Sequence, residues 1–249
     1  MSSKLYQQYC DGVVEQMNAV MENELDNIEQ AAGWIAEAVK ADQRVHVYGT
    51  GGHNFMAACE MWTRAGALCN LNIWMPGGTP CFMSNPSTEN LPGLAKKVFD
   101  YYRPSGGEVL ILINVNGINS TTIESALEAR QRGIKTIGLS SRRFSENVEL
   151  DCPQRHPSKQ NLCDLVDLHI DCYTPVGDMI LTLEKIDRKT ASSSTFPLTL
   201  IVQLLNARAI EMLVDSGLVP DFFKSGNTKD GATWSKKMRD KWIDRIKHL

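Results

Sequence analysis

A glycine-rich turn follows the first stretch of sequence that has the pattern of a buried strand. The turn reads Gly49-Thr50-Gly51-Gly52-His53-Asn54 and leads into a predicted helix. Because backbone N–H groups at a helix start attract anions, we expect the turn to bind an anionic ligand. A tight turn with nothing bound is the alternative, since glycine often makes one. The residues expected to bind are Gly51, Gly52, His53 and Asn54.

The same turn does not favour a dinucleotide site. Asn54 stands where the G-x-G-x-x-G pattern has its third glycine, and no acidic residue ends the next predicted strand. The sequence also lacks the P-loop, H-E-x-x-H and G-x-S-x-G patterns, so phosphate-loop hydrolysis, zinc proteolysis and α/β-hydrolase chemistry lose their usual support.

A second polar turn follows the third predicted strand and again enters a helix. It reads Asn114-Val115-Asn116-Gly117-Ile118-Asn119-Ser120-Thr121. Two helix-entry loops side by side at one sheet edge can grip an anion from both sides. Helix capping is the alternative. The expected ligand-binding residues are Asn114, Asn116, Gly117, Asn119 and Ser120.

A third cluster of hydroxyl groups precedes a long apolar helix. Ser193, Ser194 and Thr195 are expected to close over the same ligand. As an isolated motif, this cluster is an ordinary helix N-cap.

Strands that alternate with helices must position these turns. Short apolar strands are predicted at Val45–Tyr48, Leu71–Met75, Val109–Val115, Ile134–Leu139 and Asp167–Asp171. Helices are predicted at His53–Ala67, from Thr121 to Gly133 behind a Thr121–Glu124 capping box, and at Thr195–Val214. This alternation predicts a parallel, doubly wound α/β fold.

The chain is expected to form a single domain over residues 1–249. Its parts are an N-terminal helical segment (1–41), an α/β core (42–217) and a C-terminal loop and helix (218–249). The stretches Pro76–Pro92 and Arg142–Lys159 are predicted to be surface loops. The C-terminal helix carries Trp234 and Trp242.

Composition excludes several classes of protein. A net charge of −3 and a pI near 6.0 give no electrostatic reason to bind nucleic acid. The continuous apolar runs are too short to span a membrane, and the N-terminus lacks a secretion signal, so a cytoplasmic protein is expected. Seven scattered cysteines favour free thiols over a disulfide framework.

Several motifs resemble the sugar isomerase (SIS) domain family. The segment Asn114–Ser120 followed by TTIESALEARQRGIKTIGLSS resembles its third-strand signature. The segments GTGGHNFMAACEMWTRAG, HPSKQNLCDLVDLHIDC, PVGDM and KSGNTKDG resemble a phosphoheptose-isomerase-like subfamily. The similarity runs from about Tyr6 to Arg245. It implies a five-stranded parallel sheet of flavodoxin-like order in a three-layer sandwich with extra terminal helices, a phosphosugar ligand, and a homodimer or homotetramer with sites near subunit boundaries.

The resemblance also points to acid–base residues. In the heptose isomerases a glutamate on the first helix is the base, and their A-E-E-L pattern places it on Glu60. Their partner histidine lies in the late helix, where FPLTLIVQLLNARAIEML has none. His156, in a segment that matches the subfamily, is a candidate for the missing acid or for a phosphate contact.

Each of these candidates has an ordinary alternative. Glu60 is four residues from Arg64, the spacing of a surface ion pair on a helix. His53 either polarises a ligand oxygen or caps its turn, and His156 alternatively belongs to a surface turn. Asn114 and Asn116 replace serines common in the family, although amides also donate to phosphate.

No metal and no cofactor are expected. Cys152, His156, Cys163, His169 and Cys172 have spacings that fit no common zinc site. Two functions remain: an isomerase acting on a phosphorylated sugar, and a module that binds such a sugar without chemistry. Fewer than fifty residues precede the first predicted strand and they are acidic, so a DNA-binding sensor is disfavoured.

Overall fold

A computed structural model describes residues 3–76 and 88–249. The helices are α1 (Ser3–Asn23), α2 (Leu25–Lys40), α3 (Gly52–Met61), α4 (Leu94–Tyr102), α5 (Ser120–Gln131), α6 (Arg142–Glu146), α7 (Leu162–Leu165), α8 (Thr195–Asp215) and α9 (Gly231–Trp242). The strands are β1 (Val45–Gly49), β2 (Leu71–Ile73), β3 (Val109–Ile113), β4 (Lys135–Ser140), β5 (Leu168–Asp171), β6 (Met179–Leu183) and β7 (Arg188–Ser192). Most of the predicted loop Pro76–Pro92 lies outside the described residues.

Five parallel strands form the central sheet in the order β2-β1-β3-β4-β5. Helices α2, α3 and α8 pack on one face, and α4, α5 and α7 pack on the other. Because both faces are covered, β1 and β3 are buried along their whole length. This arrangement confirms the doubly wound α/β fold with flavodoxin-like strand order and additional terminal helices.

The long apolar helix α8 is part of the core. By length and composition alone its 21 residues could cross a membrane, but 44% of the most apolar window is buried inside the protein. Leu198, Ile201, Val202 and Leu205 are fully or almost fully buried. They belong to the core cluster that α8 shares with α2 and α3. Packing against these two helices therefore accounts for the apolar sequence.

Helix α3 ends earlier than predicted, at Met61 instead of Ala67. The residues after it pair with a distant segment: Gly66 N donates to Phe223 O at 2.8 Å, and Cys69 N donates to Asp221 O at 3.0 Å. These non-local hydrogen bonds replace the last helical turn.

The capping box predicted at Thr121–Glu124 is also wrong. Helix α5 begins one residue earlier, at Ser120. The hydroxyl of Thr121 donates to Thr88 O at 2.7 Å, and the carboxylate of Glu124 accepts from Gly93 N at 2.8 Å. Both side chains bind the segment before α4 rather than the end of their own helix.

Two C-terminal features complete the fold. The antiparallel β6–β7 hairpin, absent from the predicted elements, packs against α1. On α9, Trp242 is 7% exposed and donates its indole N–H to Asp221 at 2.9 Å, and Trp234 donates to Phe222 O at 2.7 Å. Both tryptophans therefore pack within the chain.

Candidate functional site

The candidate site lies where the direction of the chain connections reverses. Strand β1 pairs with β2 on one side and with β3 on the other, and helices α3 and α5 leave these strands toward opposite faces of the sheet. In doubly wound folds, ligands bind at this position, beyond the carboxyl ends of the strands. We call the space between loop 50–54 and loop 114–120 the crevice. The two predicted glycine-bearing turns form its two sides.

Asn114 and Thr50 join the two loops. The amide of Asn114, which is fully buried, donates to Thr50 Oγ1 at 2.9 Å, and its oxygen accepts from Gly117 N at 2.8 Å. The hydroxyl of Thr50 is also 2.6 Å from that of Thr122 on α5. The predicted ligand-binding amide of Asn114 is therefore used within the protein.

Two further predicted amides have similar contacts. Asn54 donates to Thr50 O at 2.7 Å and accepts from Val115 N at 2.9 Å. Asn119 donates to Asn90 Oδ1 at 2.8 Å and to Gln154 O at 3.2 Å. These contacts set the shape of the crevice and leave ligand contacts to other groups. Asn116, whose oxygen accepts only from Ile118 N at 3.1 Å, keeps its amide N–H₂ free of any protein acceptor in the described structure.

The donors that remain are backbone groups at the two helix starts. The first N–H groups of a helix have no partner inside it. In the described part of the chain, no backbone or side-chain acceptor is assigned to the N–H groups of Gly52 and His53 on α3, or of Ser120 and Thr121 on α5. The side chain of His53 is exposed at the same place. The crevice therefore presents two sets of helix N–H groups to a ligand.

Two of the loop glycines have positive φ values and close side-chain neighbours. Gly51 has φ +82°, and a Cβ there would overlap the carboxylate of Glu89. Gly117 has φ +62°, and a Cβ there would be 3.2 Å from Ser140 Oγ. The positive φ values favour glycine at both positions, and a Cβ would in addition require these neighbouring side chains to shift.

Glu89 is a site residue that the sequence analysis missed. It lies in the 3₁₀ turn Thr88–Asn90, which is held against α5 through Thr121 and Asn119. Its half-buried side chain reaches across the crevice to Gly51. The only sequence signal was an acidic residue in the loop after β2, at the sheet edge where ligands bind.

His156 lies beside the loop after β3. Its backbone N–H donates to Ile118 O at 2.8 Å. Further along the same segment, Leu162 N donates to Gly117 O, also at 2.8 Å, so residues 156–162 lie along the loop after β3. The half-buried ring is hydrogen-bonded through Nδ1 to Ser158 Oγ at 2.8 Å. His156 therefore lies beside the loop after β3 with its ring bonded within its own turn, and a role for it in the site stays a prediction.

Glu60 occupies the other end of α3. It is seven residues from His53, about 10 Å along the helix axis. Its carboxylate is 3.2 Å from Arg64 Nε, and both side chains are partly exposed. The ion pair with Arg64, which is the alternative to a catalytic role for Glu60, is therefore present. The role of Glu60 as a base stays a prediction.

The hydroxyl cluster before α8 contacts Asp178. The carboxylate of Asp178 accepts from the N–H groups of Ser193 and Ser194 at 3.0 and 2.8 Å, and from the Ser194 hydroxyl at 2.8 Å. Thr195 is the first residue of α8. An internal carboxylate therefore already satisfies the start of this helix, and closure over a ligand stays a prediction.

A half-buried histidine lies next to the loop after β3. His169 Nε2 is 2.8 Å from Ser140 Oγ, the atom closest to where a Cβ on Gly117 would lie. Burial, together with the charge of Arg142, lowers the pKa of His169 to about 4. The ring is therefore neutral near pH 7. Across residues 3–76 and 88–249, no group of three His, Cys, Asp or Glu side chains is placed to hold a metal ion.

Comparison with known proteins decides the family. The SIS domain model matches residues 8–141. The chain belongs to the SIS domain family. A UPF0309 protein of Streptomyces griseus is 32% identical over 249 residues, covering 98% of this chain and 97% of that protein. The SIS domain matched by sequence contains both loops of the crevice.

Solved structures share the SIS fold at low sequence identity. The phosphoheptose isomerase of Neisseria gonorrhoeae has a TM-score of 0.59 at 13% identity, covering 84% of this chain and 98% of its own. The NanR protein of Vibrio vulnificus, complexed with ManNAc-6P, has a TM-score of 0.54 at 11% identity, covering 99% and 72%. At these identities, the likeness is one of fold.

Proposed function

We propose that this SIS protein binds a sugar phosphate in the crevice and isomerises it between aldose and ketose forms. The observation that carries the proposal is the pair of helix starts, α3 and α5, that face one crevice at the switch point of the sheet. Unpaired N–H groups and the helix dipole favour a phosphate there. Membership of the SIS family supports the same class of ligand.

The phosphate is assigned to the α5 side of the crevice. The carboxylate of Glu89 lies against the Gly51 loop and would repel a phosphate placed directly on it. The first turn of α5, with Ser120 and the nearby amide of Asn116, offers donors on the other side. Glu89 is then placed to accept hydrogen bonds from sugar hydroxyl groups.

Isomerisation requires a base that moves a proton between adjacent carbons. We assign this role to Glu60, the carboxylate on α3 that the resemblance to the heptose isomerases points to; it lies about 10 Å along the helix axis from His53 at the crevice. His156, beside the loop after β3, is assigned to polarise or protonate an oxygen. The base removes the C2 proton of the aldose and returns it to C1, and the proton of the C2 hydroxyl moves in the same direction, to the oxygen on C1, which leaves C2 as the carbonyl of the ketose.

A thermal-shift screen tests ligand binding. Sugar phosphates should raise the melting temperature, and the same sugars without phosphate should not; a ligand at 100 times its Kd adds about 2.7 kcal/mol. Each sugar phosphate that binds is then incubated with the protein, and aldose–ketose conversion is followed by NMR. Absence of binding by every sugar phosphate would contradict the proposal.

A binding module without chemistry is the second candidate function. The observation that favours it is the absence of histidine from α8, which removes one acid–base group of the related isomerases. This function predicts a thermal shift with no conversion. Ser193, Ser194 and Thr195 are predicted to close over the ligand. Their substitution by alanine should weaken the thermal shift that the same sugar phosphates produce.

A further inference from the structure

A second cleft of about 580 Å³ lies between α1 and the segments that follow β4 and β5. Its polar, charged and aromatic lining comes from Asp11, Glu15 and Gln16 on α1 and from Arg143, Tyr173 and Lys189 on the other segments. We call it the α1 cleft. None of the residues that line it belongs to the two crevice loops, so it is a separate surface.

The walls of the α1 cleft are held in a fixed arrangement. Gln16, which is 7% exposed, donates to Ser193 Oγ at 2.9 Å at the end of the β6–β7 hairpin. The hydroxyl of Tyr9 donates to Ser192 O at 2.7 Å. At Gly12 a Cβ would be 2.9 Å from Ile180, so α1 and β6 are in close contact. The cleft is therefore formed before any ligand binds.

Tyr173 has an unusual conformation in this wall. Its φ is +54°, a left-handed value that is uncommon for a bulky residue. Its N–H donates to Asp171 at 2.7 Å, and its hydroxyl donates to the buried carboxylate of Glu24 at 2.9 Å. Strained backbone that the surroundings hold in place is found more often at ligand sites than elsewhere.

The charges of the α1 cleft form no ion pairs among the described residues, and Asp11 accepts a hydrogen bond from Gln7 at 2.8 Å. Among the described residues, Glu15, Arg143 and Lys189 form no ion pair within 4.0 Å. The neighbouring Arg142, in contrast, is 3.3 Å from both Glu146 and Asp164. Two cations and two acids, including Asp11, therefore share one cleft without pairing with one another.

We propose that the α1 cleft binds a small zwitterion that carries an ammonium group and a phosphate or carboxylate group. The ammonium group faces Asp11 and Glu15 on α1, and the anionic group faces Arg143 and Lys189. Charge-assisted hydrogen bonds to both ends select this class over singly charged molecules. The cleft volume falls within the usual range of small-molecule sites, roughly 300–1,000 Å³.

Isothermal titration calorimetry of the full chain tests this proposal. The probe is phosphoethanolamine, and ethanolamine and inorganic phosphate are the singly functional controls. Glu15→Gln and Lys189→Met should each weaken probe binding by about tenfold, the usual cost of one charge-assisted hydrogen bond. Glu22→Gln, on α1, and Lys185→Met, between β6 and β7, remove exposed charges outside the cleft and should leave binding unchanged.

A crevice variant separates this proposal from the proposed function. His53→Glu alters the crevice and should leave phosphoethanolamine binding unchanged. Loss of phosphoethanolamine binding in His53→Glu, with none in Glu15→Gln or Lys189→Met, would place it in the crevice and overturn the inference. The absence of any heat of binding for phosphoethanolamine would overturn it as well. If sugar phosphates do not bind in the crevice, Glu15→Gln and Lys189→Met should still weaken the binding of phosphoethanolamine.

Discussion

Asn114 and Thr50 are joined by a hydrogen bond of 2.9 Å from the side-chain amide to the hydroxyl oxygen. Asn114 also accepts from Gly117 N, so one buried side chain fixes the loop after β3 and connects it to the loop after β1. The two helix starts that form the crevice therefore depend on this amide for their relative position.

Asn114→Ala should lower the free energy of unfolding by about 2–3 kcal/mol, because it leaves buried polar groups without partners. Urea denaturation measures the change. Asn116→Ala is the matched control: its oxygen accepts a single local bond from Ile118 N, and its loss should cost less than about 1 kcal/mol. Equal losses in the two variants would contradict the bridging role of Asn114.

The sheet could be predicted because its strands are buried on both faces. Val109–Ile113 is apolar at every position, which is typical of a strand covered by two layers of helices. The hairpin strand Arg188–Ser192 has no buried residue, so it gives no comparable signal. The early end of α3 depends on hydrogen bonds to residues 221–223, which no local pattern contains.

The glycine turns of the site could be predicted for a similar reason. A helix start after a buried strand has a local signature, and the structure places both turns at one crevice. The role of each amide could not be predicted, because Asn54 accepts from Val115 N and Asn114 donates to Thr50 Oγ1, partners in the opposite loop that only the fold brings close. Glu89 reaches Gly51 for the same non-local reason.

His53→Glu should weaken the binding of sugar phosphates by about tenfold or more, because a negative charge at the start of α3 repels the ligand. His53 is exposed, so the fold should tolerate the change. Titration followed by thermal shift measures the affinity. Met56→Glu, which is 42% exposed on the same helix, adds the same charge outside the first turn and should have a smaller effect.

Acid should destabilise the protein through a buried pair at the start of β1. His46 Nε2 is 2.9 Å from Glu108 Oε2, and Arg44 Nε is 2.7 Å from the other carboxylate oxygen. Burial lowers the pKa of His46. Burial alone would raise the pKa of Glu108, but hydrogen bonds from His46, Arg44 and the Ser105 backbone lower it to about 2.

Folding lowers the pKa of both His46 and Glu108. The unfolded chain binds protons on His46 below about pH 6.5 and on Glu108 below about pH 4.5, before the folded protein does. The melting temperature should therefore fall as the pH drops below 6.5, and Glu108 should contribute between about pH 5 and pH 2. Glu108→Gln should lower stability at pH 7 and flatten the acid part of this curve. Glu37→Gln, in an exposed pair with Lys40, should not change it.

Exposed apolar side chains on α1 and at the start of α2 predict a homo-oligomer. Tyr6, Val14, Met21 and Leu25 are between 39% and 73% exposed. Burying such a surface between copies removes it from water. Light scattering should give a mass above 27.7 kDa at micromolar concentration. Val14→Asp should lower that mass, whereas Val219→Asp, which is 80% exposed in the segment after α8, should not; a monomeric wild-type protein would contradict the prediction.

The two carboxylates of the proposed reaction should respond differently to neutralisation. Glu60→Gln should leave sugar-phosphate binding nearly intact and lower turnover by roughly 10²–10⁴-fold, the usual value of a positioned acid–base group. Glu89→Gln should instead weaken binding, because Glu89 lies at Gly51 in the crevice and is proposed to hold the sugar hydroxyl groups. Arg64→Met is the control for Glu60: it breaks the same ion pair and keeps the carboxylate, so turnover should persist. Equal losses of turnover in Glu60→Gln and Arg64→Met would mark Glu60 as part of a structural ion pair and leave Glu89 as the carboxylate that contacts the sugar.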